Sequence, residues 1–390
     1  MDIQEKSLEL HEKLRGKLSI DSKVPVKNKL DMSLAYTPGV AEPCRYIFKN
    51  KEDVYKYTGK WNTVAIVTDG SAVLGLGDIG PEASLPVMEG KAVLFKEFGD
   101  VDAFPVCLDT YDPDEIVNVV KLMAPVYGGI NLEDISSPRC VEIEEKLKKI
   151  LDIPVFHDDQ HGTAVVVAAA LFNALKIVGK DWSDIRIAMS GAGAAGNAVS
   201  KFLLNIGIKD VFICNSKEII NKDGNYTNPV HKWIAENTNK ENRKGHLKEA
   251  LKDVDVFIGV SKKNIVDENM IKSMAKDPIV LPMANPDPEI MPDLAKKAGA
   301  RIVGTGRSDF ANQINNVIAF PGIFRGALDA RASEINEEMK IAAAKALADL
   351  ISDEELTEEY VIVPAFDERV GKAVAEAVKK AAEETGVARI

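Results

Sequence analysis

The chain has few cysteines, and none are closely spaced. Cys44, Cys107, Cys140 and Cys214 are spread over 390 residues without a CxxC pair. This pattern excludes a thiolate zinc finger and a disulfide-stapled scaffold, and it points to a reducing, cytoplasmic compartment. Long apolar runs are also missing. The longest, Thr163–Leu175, is interrupted by Asn173 and falls short of the roughly 20 residues that a bilayer needs. The charged start MDIQEKSLELHEKL lacks the apolar core of a signal peptide. Positive charge is in deficit: 49 Lys and Arg against 60 Asp and Glu leave a net charge of −11. That argues against a nucleic-acid partner, but an acidic substrate stays possible because charge within a cleft can oppose the global sign. With 27 glycines and 18 prolines, all scattered, the chain is neither collagenous nor low in complexity.

What is present is 46% hydrophobic and 28% charged residues, the balance of an ordinary folded protein, at a length that favours two domains. Residues 1 to about 30 read as an amphipathic helix followed by the basic loop KVPVKNK. From Thr63 on, β-rich runs alternate with helical stretches. The strands are expected at Val64–Thr68, Phe104–Leu108, Gly129–Leu132 and Ile153–Phe156, with helices at Leu85–Phe98, Pro113–Leu122 and Ser137–Ile150. Alternation of this kind predicts an α/β fold with a largely parallel sheet. A nearly all-apolar helix, Gly162–Val178, leads into a second series at Ile185–Ser190, Val211–Cys214, Val254–Val260, Ile279–Met283 and Arg301–Gly304. The tail from Asp329 reads as helical, broken by a loop at Ile362–Glu368. The expected organisation is two α/β domains, 1–160 and 161–390, the second Rossmann-like with a helical tail.

The run Gly191-Ala192-Gly193-Ala194-Ala195-Gly196 follows the strand IRIAMS and opens the helical stretch NAVSKFLLNIG. In a GxGxxG loop the first glycine turns the chain, the second admits a pyrophosphate to the backbone, and the third lets helix pack on strand. Strand, loop, helix and second strand fall in order here, which predicts a dinucleotide site. The second strand closes on Asn215-Ser216-Lys217, without the acid that would hold the ribose of NAD and repel the extra phosphate of NADP. NADP is therefore expected to be accepted alongside NAD.

Acidic residues follow several strands. Glu133 and Asp134 close GINL, and Asp158 and Asp159 close IPVF. Carboxylates from two adjacent strand ends can converge on a hard cation such as Mg²⁺ or Mn²⁺, or they can cap the helices that follow. His157 and His161 flank the second pair as structural hydrogen-bonders. Lys91 lies in the apolar segment PVMEGKAVLF, where a lysine is either paired, neutral, or extended to the surface. Tyr36 precedes a Pro-Gly turn in LAYTPGV.

The segments LAYTPGVAEPC, VTDGSAVLGLGDIG, GKAVLFKEFG, INLEDI, FHDDQHGTA, GAGAAG, MANPDPEI, TGRSDF and QINNVIAFPGIFRGALDAR occur in order. Together they resemble malic enzyme, the decarboxylating malate dehydrogenase, in its short bacterial or archaeal form. The resemblance implies NAD(P)-dependent oxidative decarboxylation of L-malate with Mg²⁺ or Mn²⁺. It also implies Tyr36 as general acid, Lys91 as general base held neutral by burial or nearby cationic charge, and Asp158 beside them in the catalytic site. Glu133, Asp134 and Asp159 become metal ligands, while Asn285 and Asn316 contact substrate, Asn285 also bordering the cofactor. A homodimer or larger homo-oligomer is implied as well. Two departures stand out. Larger members of the family carry, at the place of Ala72, an arginine that holds a substrate carboxylate, and many carry an acid at the place of Asn215. Arg307 or a lysine from a partner subunit is the expected substitute for the missing arginine. A metal-independent amino-acid dehydrogenase would share this architecture without needing the three carboxylates. A non-catalytic nucleotide-binding module could dispense with Lys91 and Tyr36, and a metal-dependent hydrolase would not need the glycine loop.

Overall fold

The computed structural model describes residues 2–73 and 75–390. Two parallel sheets organise it. The first consists of β1 (Thr63–Thr68), β2 (Asp102–Cys107), β3 (Gly129–Leu132) and β4 (Val155–His157), in the order β2-β1-β3-β4. Every residue of β1, β3 and β4 is buried, as expected of strands covered by helices on both faces. The second consists of β5 (Ile187–Ser190), β6 (Val211–Cys214), β7 (Val256–Gly259), β8 (Ile279–Pro282) and β9 (Ile302–Val303), in the order β6-β5-β7-β8-β9. The strand order reverses direction between β1 and β3, and again between β5 and β7. Such switch points leave a crevice at the carboxyl ends of the strands.

Most strands fall within a few residues of expectation. The main revision concerns the apolar helix, which runs from Asp158 to Val178 rather than from Gly162. By length and composition this helix could cross a membrane, but two-thirds of its most apolar window is buried inside the protein. A continuous apolar core joins it to both sheets through residues such as Val64, Phe156, Val167, Ile187 and Leu281. Its early start places Asp158 and Asp159 in its first turn, where the helix dipole favours negative charge. The helix Phe320–Asp329 packs back on the first unit: Phe320 and Phe324 meet Phe95 edge-on, with centroids 4.7 and 5.2 Å apart.

The N-terminal helices behave differently. Ile3–Leu14, Lys29–Ala35 and Ala41–Lys49 contain no buried residue, and none is buried anywhere from Asp2 to Gly59. The expected first helix ends at Leu14.

Candidate active site

The strand ends deliver the acids. β3 runs directly into Glu133 and Asp134, and β4 into Asp158 and Asp159; Leu132 and His157 are register partners, so the two pairs are neighbours. Oxygens of Glu133, Asp134 and Asp159 lie within 4.8 Å of one another. Asp134 has a φ of +51°, a left-handed conformation that aspartate tolerates better than most residues with a side chain. Its N–H donates to Asp159 Oδ2 at 2.9 Å, and its carbonyl accepts the N–H of Ala72 at 2.9 Å. Burial pushes the Glu133 and Asp159 carboxyls above their ordinary values, with Lys91 pulling the other way. Oxygen-only donors, crowded and poorly solvated, fit a hard divalent cation.

Lys91 comes from the helix Gly80–Gly99, which follows β1 and faces this cluster. Its Nζ donates to Glu133 Oε1 at 2.9 Å and, more closely still, to Asp158 Oδ2, and it sits 3.9 Å from the centroid of Phe320. The surroundings revise the expectation of a neutral amine. Burial alone would lower its pKa, but Asp158 and Glu133 outweigh burial and hold the proton on more firmly than in an ordinary lysine. Burial pushes the Asp158 carboxyl up to about 8 despite the ammonium beside it. Lys91 and Asp158 thus form a buried, hydrogen-bonded pair.

Next to the carboxylates opens a cleft of about 590 Å³, lined among others by Ala72, Asp134, Asp159, Asn285, Asn315 and Asn316. Asn316 donates its amide to Asp158 Oδ2 at 2.5 Å, which engages one of its two N–H groups. The Asn285 amide makes only a long 3.5 Å contact with the Met283 carbonyl. Asn315 was not singled out by the sequence reading, although it neighbours Asn316 in QINN. Tyr36 does not join this group. It is 70% exposed and lines neither this cleft nor the adjoining one. Arg307 also stays outside: Asp309 engages its guanidinium at 2.7 and 2.8 Å, and the Pro286 carbonyl at 3.2 Å. Sequence reasoning missed Arg139 as well, whose guanidinium binds Asp69 at 2.9 Å and the hydroxyls of Ser71 and Ser136 at 2.8 Å each. It ties the Ala72 loop to the turn after β3. The signal was Asp69, an acid closing an apolar strand, which needs a cation when buried.

The two histidines diverge. His161 bonds Glu144 at 2.8 Å as a structural partner. Contrary to the expected role as a hydrogen-bonder, His157 is fully buried with neither ring nitrogen hydrogen-bonded among the described residues, and its Nε2 is 3.9 Å from Asp159 Oδ2.

A second cleft of about 470 Å³ adjoins the first, sharing Ser137 and Ser261, and contains Gly191, Ala192, Gly193, Asn215, Ser216, Lys217, Glu218, His246 and Lys262. Ala194 and Ala195 line the first cleft. The glycines divide the work. A Cβ on Gly196 would come within 1.9 Å of the Gly191 carbonyl, so strand and helix approach too closely for any side chain. A Cβ on Gly193 would meet nothing within 4 Å: the space above it is open, at the start of the helix Ala194–Ile206, as a pyrophosphate requires. Asn215 Oδ1 accepts the N–H groups of Lys217 and Glu218 at 2.8 and 2.9 Å. Its amide remains to face the cleft. Glu218, three residues past the expected position, brings an acid to this cleft that the sequence reading did not place.

Comparison with known proteins agrees with this geometry. Residues 15–148 match the model of the malic enzyme N-terminal domain, and residues 160–383 match that of the malic enzyme NAD-binding domain. The bifunctional malic/malolactic enzyme of Bacillus subtilis is 59% identical, over 100% of this chain and 95% of its own length. The NAD-dependent malic enzyme of Geobacillus stearothermophilus is 54% identical, over 100% of this chain and 81% of its own length. The crystal structure of malic enzyme from Pyrococcus horikoshii superposes with a TM-score of 0.95 at 50% identity, covering 100% of this chain and 92% of that one. Two domain matches in sequence order, relatives matched along the whole chain and a shared three-dimensional structure place this chain in the malic enzyme family.

Proposed function

We propose that this chain converts L-malate to pyruvate and CO₂ while reducing NAD⁺ or NADP⁺, with Mg²⁺ or Mn²⁺ held by Glu133, Asp134 and Asp159. The observation that carries this reading is the junction of the two clefts. Three converging carboxylates and a buried lysine stand beside a glycine loop open to a dinucleotide. When bound, the cation lowers the pKa of the malate 2-hydroxyl and stabilises the enolate left by decarboxylation, and the nicotinamide accepts the hydride.

The protein groups then have distinct tasks. Lys91 is the base for the 2-hydroxyl proton and must first lose its own. Asp158, hydrogen-bonded to it and raised toward neutrality, is the acceptor for that proton. Positive charge among Glu133, Asp134 and Asp159 weakens the acidic field that holds the ammonium, bringing Lys91 closer to the pKa useful for a base. Asn285 and Asn316 orient the substrate carboxylates through neutral amides. Tyr36 is the acid for C3 of the enolate that the family resemblance implies, a role that requires it to be brought to the cleft from which it is absent here.

In the nucleotide cleft Lys217 and Lys262 stand against one acid, Glu218. That balance favours acceptance of NADP⁺ as well as NAD⁺. The unburied, apolar-rich N-terminal segment favours a homo-oligomer. The spacing of the four cysteines, all free, favours the cytoplasm. A second reading follows the Bacillus subtilis relative, a malic/malolactic enzyme, in which lactate rather than pyruvate would leave.

The test is nicotinamide reduction by purified protein with malate, Mn²⁺ and either cofactor. Turnover that stops on chelation and returns with added Mn²⁺ supports the proposal; chelator-insensitive turnover, or none, contradicts it.

A further inference from the structure

We infer that Glu289 is a positioning residue for hydride transfer, its carboxylate fixing the two loop ends that set the nicotinamide against the substrate. The inference rests on the malate reading above and adds what keeps the two clefts in register. Glu289 lies in NPDPEI, four residues past the candidate substrate contact Asn285. It is fully buried, and among the described residues it forms no ion pair. A buried charge without a counter-charge is costly unless hydrogen bonds replace its water. Here backbone N–H groups do so. Glu289 Oε1 accepts the N–H of Ser261 at 2.8 Å, and Oε2 accepts that of Ala284 at 3.1 Å. Burial raises the pKa of this carboxyl against the pull of those two N–H groups.

The two donors occupy equivalent places. β7 and β8 pair in register up to Gly259 and Pro282, and Ser261 and Ala284 each stand two residues further on. Ser261 lines both clefts, and Ala284 lines the substrate cleft beside Asn285. Ser261 Oγ also meets Ser190 Oγ at 2.5 Å, at the end of β5 where the glycine loop begins. A chain of hydrogen bonds, Ser190–Ser261–Glu289–Ala284, thus runs from the glycine loop to the residue before Asn285. The carboxylate packs directly on Gly259, where a Cβ would come within 2.3 Å of the Glu289 Cδ. It offers two acceptor oxygens to two donors, whereas a glutamine would turn an N–H group toward one of them. Hydride transfer depends on this register, because a misplacement of about 1 Å costs about 10²-fold in rate. Loss of CO₂ from oxaloacetate moves no hydride and tolerates a slack register.

Glu289→Gln tests this, since it keeps the shape and replaces one acceptor by a donor. Two rates are compared in one preparation: malate oxidation with Mn²⁺ and NAD⁺, and decarboxylation of added oxaloacetate above the rate with Mn²⁺ alone. Their ratio does not depend on the fraction of protein that folds. It is expected to fall about 10- to 100-fold. In protein free of metal and nucleotide, amide exchange is expected to speed up about 10-fold at Ser261 or Ala284 and to stay unchanged at Asp158 and Asp159. Glu289→Asp, which keeps both acceptors but reaches less far by one methylene, is read by the same ratio if the glutamine variant does not fold. An unchanged ratio, or unchanged exchange at both Ser261 and Ala284, overturns the inference. Wild-type protein unable to oxidise malate overturns the reaction itself, and the inference with it, whatever the amide exchange shows.

Discussion

The backbone N–H of Asp134 donates to Asp159 Oδ2 across 2.9 Å. This bond joins the end of one strand to the first turn of the helix that follows the next strand. It holds two of the three converging carboxylates in register. Carboxylates pre-positioned in this way would bind a hard ion at a smaller ordering cost.

Asp159→Ala should weaken Mn²⁺ binding and abolish turnover, because it removes both a ligand and the acceptor for the Asp134 N–H. Calorimetric titration of Mn²⁺ in the presence of nucleotide reads the loss. Asp159→Asn, which keeps the acceptor but not the charge, should bind more weakly than wild type and fold normally. Undiminished Mn²⁺ affinity in both variants would leave Asp159 as a helix-capping residue.

Metal affinity should rise with pH. Burial raises the pKa values of Glu133, Asp158 and Asp159, so these groups keep protons above the ordinary carboxylate range, up to about pH 8 for Asp158. A cation must displace protons from its ligands Glu133 and Asp159, so its binding releases them and tightens as pH rises above the ordinary carboxylate range. The stability signs agree. A carboxyl raised in the folded state binds more protons folded than unfolded, so metal-free stability falls as pH rises through this window. Thermal melts with and without Mn²⁺ should therefore diverge as pH increases. A metal-induced shift in Tm that shrinks with pH would contradict the assignment.

Lys91→Ala should leave dinucleotide binding intact and cut malate oxidation by about 10²–10⁴-fold, the usual cost of removing a general base. Fluorescence of bound reduced nicotinamide checks the first half and steady-state kinetics the second. Near wild-type turnover would remove Lys91 from the chemistry.

Asn215→Asp should shift preference from NADP⁺ toward NAD⁺. Its Oδ1 already accepts two backbone N–H groups at 2.8 and 2.9 Å, and an aspartate keeps both bonds while adding negative charge beside the ribose. The ratio of kcat/KM for the two cofactors measures the shift. Wild-type preference for NAD⁺ above about 100-fold, roughly 2.7 kcal/mol, contradicts dual use.

Arg139→Ala should destabilise the fold by about 3–5 kcal/mol, since it strands the fully buried carboxylate of Asp69. Adding Asp69→Asn should recover part of that loss in a urea melt. A single variant as stable as wild type would show that the clamp is dispensable.

The parallel sheets were legible in the sequence because strands buried on both faces read as unbroken apolar runs, as TVAIVT and VFIC do. The glycine loop was legible because its spacing follows from backbone geometry. The start of the Asp158–Val178 helix was not, since its first turn is acidic and interrupts the apolar pattern. Nor was the charge state of Lys91, which depends on Asp158, 67 residues away in the chain. The position of Tyr36 outside the cleft was equally hidden, because a tyrosine before a Pro-Gly turn reads the same whether its ring is buried in a site or 70% exposed as here.

The most direct measurement of the central claim is the product balance from malate, Mn²⁺ and oxidised nicotinamide. The account predicts pyruvate, CO₂ and reduced nicotinamide in equal amounts, all lost together when Lys91 or Asp159 is replaced. Reduced nicotinamide with oxaloacetate and no CO₂ would contradict it, and so would lactate with CO₂ and no net reduction of the cofactor.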